Sequence, residues 1–260
     1  MEKPLQEREL AVEDLIALGC SRSFSQRIIY LLSQRQQLDW YVQEGKHNGC
    51  YPITRVSPGY PAQLHRILGT EAPGALWAKG NADFLQTAMI SLVGSRELRQ
   101  DNYDFACAVG MQAALQGFTL VSGNARGADR AAQDSCLAHG GRVVSVVADE
   151  LMNHAPSENI LYISEEGFDL AFSAHRALHR NRIIHALGEK VFVAQCRKEK
   201  GGTWSGTTQN LRKNWSPVFC FDDGSDAACE LNQLGASLIG TQELRNIPAL
   251  RSEYMNFIDQ

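Results

Sequence analysis

The 260 residues are 44% apolar and 21% charged, which excludes a disordered chain and suits one large α/β domain with a smaller attachment. No apolar run approaches the ~20 residues of a membrane span, and the polar first eight residues lack the apolar core of a signal peptide, so a cytoplasmic protein with no membrane association is expected. The net charge of −4 argues against general polyanion affinity, and seven scattered cysteines without a C-x-x-C pair read as reduced packing residues.

In chain order, residues 9–18, 25–32 and 38–42 read as short helices, giving a small N-terminal helical domain over residues 1–50 and a main domain over 51–260. Ser57-Pro58-Gly59-Tyr60-Pro61 punctuates a connecting region, and residues 76–80 read as an edge strand. From Met89 the pattern becomes regular. Strands are predicted at 89–93, 118–121, 142–148, 161–164, 190–196 and 218–221, with helices at 102–116, 128–139, 180–187 and 205–212. Alternating apolar strands and helices predict a doubly wound, mainly parallel sheet covered on both faces.

Three glycine turns follow strands. Gly94-Ser95-Arg96 follows the first, Ser122-Gly123-Asn124-Ala125-Arg126-Gly127-Ala128-Asp129 the second, and Gly201-Gly202-Thr203 a later one. In a parallel sheet all three open on one edge. There their N–H groups, hydroxyls and arginine forks suit phosphate oxygens, helped by helix N-termini. Arg180-Asn181-Arg182 adds two more cations, which cannot share a narrow helix face; one is expected on the anion and the other on a carboxylate such as Asp129. Asp129 reads as a helix cap, an orienter of Arg126 or a group acting on substrate, in that order of blandness. Between residues 174 and 213 nine Lys/Arg face two Glu, the charge footprint of a polyanion site. His175 and His179 are four apart, but no Cys or acid matches them, so no metal site is expected.

Gly94-Ser95-Arg96, Ser122-Gly123-x-Ala125-Arg126-Gly127-x-Asp129 and Arg180-Asn181-Arg182-x-Ile184, in this order, resemble the DNA-processing protein A family, DprA or Smf. Tyr60-Pro61-x-x-Leu64, Pro73-x-x-Leu76-x-x-Lys79-Gly80 and Ser205-Gly206-Thr207-Thr208 extend the resemblance over roughly residues 55–240. The resemblance implies an extended Rossmann-like domain that binds single-stranded DNA without catalysis or cofactor. It also implies action in natural transformation and recombination, help in loading the RecA recombinase, and a homodimer. A C-terminal winged helix, found in many members, is not expected. By position, Ser95, Arg96, Gly123, Arg126, Arg180 and Arg182 would line the DNA groove. Gly94, Ser122, Gly127, Asn181, Lys200, Gly202 and Thr203 complete the expected set, and Trp204 is a candidate for base stacking. Two departures are visible: Asn153-His154-Ala155-Pro156 stands where the family carries Tyr-Pro, and Gly201-Gly202-Thr203-Trp204 is an uncommon form.

The competing reading is a Rossmann-like nucleotide sensor or a phosphoribohydrolase-like enzyme acting on a small nucleotide. Gly201-Gly202-Thr203 resembles part of that enzyme motif, but Gln209 and Asn210 stand where a general-acid/base carboxylate is needed.

Overall fold

The computed structural model describes residues 9–252. The chain divides into two compact units, Met1–Asn48 and Gly49–Gln260. The first holds α1 (Val12–Ala17), α2 (Arg22–Ser33) and α3 (Arg35–His47). Ser21 caps α2, its Oγ accepting from Phe24 N at 3.3 Å. Along these helices only Leu15, Ser25 and Gly45 are buried, the thin core of a unit this small.

The second unit runs β1 (Tyr51–Thr54), α4 (Ala62–Leu68), β2 (Ala75–Lys79), β3 (Met89–Val93), α5 (Gln100–Leu115), β4 (Thr119–Ser122), α6 (Ala128–Ala138), β5 (Arg142–Val146) and β6 (Ile160–Ser164). It continues through α7 (Ala174–His179), α8 (Asn181–Leu187), β7 (Val191–Val193), α9 (Gly201–Lys213), β8 (Val218–Phe221), α10 (Asp226–Gln233) and β9 (Ser237–Ile239). The nine strands form one sheet in the order β1-β2-β6-β5-β4-β3-β7-β8-β9. Every pairing from β6 to β9 is parallel, and β1 and β2 add on in antiparallel fashion. This is the Rossmann-like α/β class.

The central strands β3, β4 and β6 are buried at every position, as a sheet covered on both faces requires. Ile90, Leu92, Leu120, Leu161, Ile163, Phe192 and Phe219 are fully enclosed. Residues 76–80 belong to a strand, but not an edge strand: β2 lies between β1 and β6. The true edge is β1, where Pro52 is tolerated because an edge position has no ladder bond to lose. Helix α9 begins at Gly201, four residues before its expected start, so Gly201-Gly202-Thr203 forms its first turn rather than a separate loop.

Candidate functional site

From β3 the chain steps outward to β6 on one side, and from β7 to β9 on the other. The loops after β3 and β7 therefore diverge and leave a crevice at the carboxyl edge, where open α/β sheets bind ligands. A groove of about 570 Å³ fills it. Its walls are Gly94, Ser95 and Arg96 after β3, Arg126 and Asp129 after β4, Arg180 and Asn181 at the α7–α8 junction, and Lys200, Gly202 and Thr203 at the start of α9. A second cavity of about 430 Å³ shares Arg96, Arg126 and Arg180 with the first and extends past Gly123 and Asn124 to Asp149 and Phe172.

The loops are locked to one another. Gly127 has φ +88°, and a Cβ there would lie 2.4 Å from Ser95 O and 2.5 Å from Arg96 O, so only glycine lets the two loops press together. Ala128 N donates to Ser95 O at 3.1 Å, and Ser95 N and Oγ both donate to Gln195 O, at 2.9 and 3.2 Å. Thr203 Oγ1 donates to Gly94 O at 2.9 Å, and Asn181 Nδ2 to Gly202 O at 3.1 Å. A hydroxyl has one proton to give. The protons of Ser95 and Thr203, expected on a ligand, are committed to holding three loops in register. Ser122 is fully buried at the end of β4 with its hydroxyl beside Asp129, and neither it nor Gly127 lines a cavity wall.

Arg180 is 7% exposed and faces both cavities. Its guanidinium lies over Gly123, where a Cβ would come 1.7 Å from Nη1. Nε and Nη1 have no hydrogen-bond partner among the described residues. Burial works against its charge, opposed by Asp129 and then Asp149. Asp129, equally buried, accepts from Ala125 N at 3.2 Å through Oδ2. Burial pushes its carboxyl up, while the Arg180 charge draws it down. Asp129 thus braces the turn and faces Arg180 rather than orienting Arg126.

Arg182 goes elsewhere. It pairs with Glu165, the two side chains 11% and 8% exposed. Glu165 also accepts from His179 Nδ1 at 3.0 Å. The expectation that Arg182 lines the groove is corrected: two residues along a helix point to different sides, and its carboxylate is Glu165, not Asp129. Most of the basic run is neutralised in the same way, through Arg176–Glu166, Arg197–Glu97, Lys198–Glu230 and Lys213–Glu71. The cations left on the groove, Arg96, Arg126, Arg180 and Lys200, come from four separate segments. Backbone N–H groups at the start of α9 add the positive end of a helix dipole.

Trp204 packs against the core rather than facing the groove. Phe172, 55% exposed on the second cavity, is the aromatic ring that stands there, and no motif marked it. Behind the groove, His185 is fully buried and held neutral, its pKa pushed down to about 3 by burial. Its Nδ1 accepts from Asn210 Nδ2 at 3.0 Å, and Asn210 Oδ1 accepts from Ser216 N at 3.0 Å. Asn210, where a hydrolase would need an acid, is therefore a structural amide. Among the described residues no His/Cys/Asp/Glu group is arranged to hold a metal, and no helix is long and apolar enough to cross a membrane.

The family model for DNA recombination-mediator protein A matches residues 52–247. The DNA processing protein DprA of Streptococcus pneumoniae is 30% identical over 199 residues, covering 69% of this chain and 67% of that one. The DprA of Bacillus subtilis is 27% identical over 213 residues, covering 76% and 71%. The X-ray structure of the Streptococcus pneumoniae protein superposes with a TM-score of 0.74 at 25% identity, over 95% of this chain and 89% of that one. DNA processing protein A of Helicobacter pylori, whose single-stranded DNA binding mode is known structurally, shares the fold with a TM-score of 0.64 at 22% identity, over 76% and 94%. Glycine loops locked at the switch point of the sheet, a buried arginine facing them and a family match across three quarters of the chain agree: the chain belongs to the DNA recombination-mediator protein A family of DNA processing proteins.

Proposed function

We propose that this chain binds single-stranded DNA along the switch-point groove and performs no chemistry on it. The observation that carries this reading is Arg180: a buried guanidinium, two of its nitrogens unpartnered among the described residues, on the wall of a groove that other cations rim. A buried cation without a bridging carboxylate is costly, and a phosphate oxygen supplies the missing acceptor through charge-assisted bonds. Arg96, Arg126 and Lys200 then track neighbouring phosphates, with length dependence and salt sensitivity as consequences. The absence of catalysis is supported by the carboxylates near the groove. Asp129 braces a turn, Glu97 is paired with Arg197, and Asn210 occupies the hydrolase acid position. The resemblance carries the proposal further, to a homodimer in the cytoplasm that passes strands to a RecA-class recombinase during DNA uptake or recombination.

Fluorescence anisotropy with labelled single- and double-stranded oligonucleotides, and with mononucleotides as competitors, tests this. The single strand is expected to bind, and more weakly as salt rises. Arg126→Ala, at an exposed position, is expected to lower affinity and flatten the salt slope by about 0.7. A folded Arg126→Ala protein with unchanged affinity, or displacement of the strand by micromolar mononucleotide, overturns the reading.

A further inference from the structure

The second cavity differs in kind from the first. Its lining joins two cations, Arg126 and Arg180, to a carboxylate, Asp149, and to the exposed ring of Phe172. A negative group on the wall of a polyanion groove weakens phosphate binding, so its presence needs a compensating role. Its charge supports that of Arg180 without forming a salt bridge to it; its hydrogen-bond partner is His154, whose Nε2 donates to Oδ1 at 2.9 Å. That hydrogen bond holds the Asp149 carboxyl below the usual carboxylate range. His154 is itself fixed, its ring stacked on Tyr162 with centroids 4.5 Å apart. The carboxylate is 46% exposed, and its other oxygen has no side-chain partner among the described residues.

The rim that carries these groups is rigid. Arg176, 7% exposed, donates through Nη1 to Ala148 O at 3.0 Å, Leu170 O at 2.5 Å and Ala171 O at 2.8 Å. One guanidinium thus ties the residue before Asp149 to the two residues before Phe172. An acceptor and an aromatic face are held in place beside a phosphate-seeking arginine that is more than nine-tenths buried. Pre-organisation of this sort lowers the ordering cost of binding.

We infer that the second cavity is a base-reading subsite, in which Phe172 stacks on a nucleobase and Asp149 accepts from its Watson–Crick edge, with guanine preferred. Guanine alone among the four bases presents two adjacent donors on that edge, N1–H and the 2-amino group, which match the two oxygens of a carboxylate. Thymine presents one N–H between two carbonyl oxygens, and those oxygens repel the carboxylate. The inference rests on the single-strand reading above and adds a base preference to it.

The test compares a (dTdG)10 strand with (dTdI)10 and dT20, for the full chain and for Asp149→Asn. Inosine removes only the 2-amino group, so the DNA series needs no protein variant. Wild type is expected to bind (dTdG)10 about tenfold more tightly than dT20, the order of one bidentate base contact, with (dTdI)10 between them. Asp149→Asn is expected to abolish the preference while holding dT20 as tightly as before or more so. Equal binding of the three strands by wild type, or a preference that survives Asp149→Asn, overturns the subsite and leaves the groove intact. Binding to none of the strands overturns the groove reading and the subsite with it.

Discussion

Arg180 and Arg182 stand two residues apart, and the regions on either side of the α7–α8 junction treat them in opposite ways. On the Glu165 side the charge is closed: Arg182 and Glu165 meet out of solvent, with His179 as a second donor. On the groove side it is left open, and Arg180 keeps two nitrogens without partners behind Gly123. Both arginines are largely buried, so exposure does not separate them. The ion pair does: each arginine keeps an unpartnered nitrogen, Nη1 in Arg182, but of the two only Arg182 forms a salt bridge among the described residues. A paired charge holds the fold together, whereas an unpaired cation leaves a place for an anion that binding then fills.

The sharpest way to break this comparison is to remove each arginine separately and read stability and binding together. Arg182→Ala leaves Glu165 buried with only His179 beside it, and is expected to lower unfolding stability by about 3 kcal/mol in chemical denaturation. The slope of log affinity for single-stranded DNA against log salt should not move. Arg180→Ala is expected to do the reverse, weakening the strand by about 1.5–3 kcal/mol, the worth of a hydrogen bond to a charged group, and flattening the salt slope by about 0.7. Should Arg182→Ala flatten the salt slope while Arg180→Ala leaves it alone, the two sides have been assigned the wrong way round.

Gly123→Ala probes the groove side without touching a charge. The new Cβ would overlap the Arg180 guanidinium, which must swing away. Because the displaced atoms are the far end of a long side chain, the fold tolerates the change, with stability expected within about 1 kcal/mol of wild type. Affinity is expected to fall toward that of Arg180→Ala. Intact affinity in a folded Gly123→Ala protein would separate Arg180 from binding.

How much of this was legible beforehand depends on whether the signal was local. Strands β3, β4 and β5 are mostly apolar runs with a glycine close to at least one end, and their limits lay within a residue or two of expectation. The glycine loops could be placed on one rim because their adjacency follows from a parallel sheet. Partner choice was not legible. Arg182 meets a carboxylate seventeen positions upstream, and the spacing of Arg180 and Arg182 said only that they part company. Helix α7 is six residues with no apolar period, and β1 is a four-residue run containing proline, so neither stood out. Asp149 and Phe172 lie outside strands and motifs alike, and only packing brings them to one cavity. The hydroxyls of Ser95 and Thr203 were assigned to a ligand because a motif shows which atoms are present, not which are already bonded.

The smallest expected effect refines the comparison through a third buried nitrogen group. His185 lies on α8 with Arg182, and, like Arg180, it keeps an unpartnered nitrogen, Nε2. Here the orphan group is neutral. With Nδ1 accepting from Asn210, the single ring proton sits on Nε2, and burial holds the pKa down at about 3. In the unfolded chain the imidazole protonates near 6.5, so between about pH 6.5 and about 3 the unfolded state binds more protons than the folded one. Stability therefore falls as pH drops through that window, by up to about 1.4 kcal/mol per pH unit from this residue. Denaturation midpoints between pH 7.5 and pH 5 should show this slope in wild type and a shallower one in His185→Gln, whatever the substitution does to stability at pH 7.5. An equal slope in both proteins would mean that His185 takes up a proton in the folded state, and burial would then not keep this orphan nitrogen group neutral.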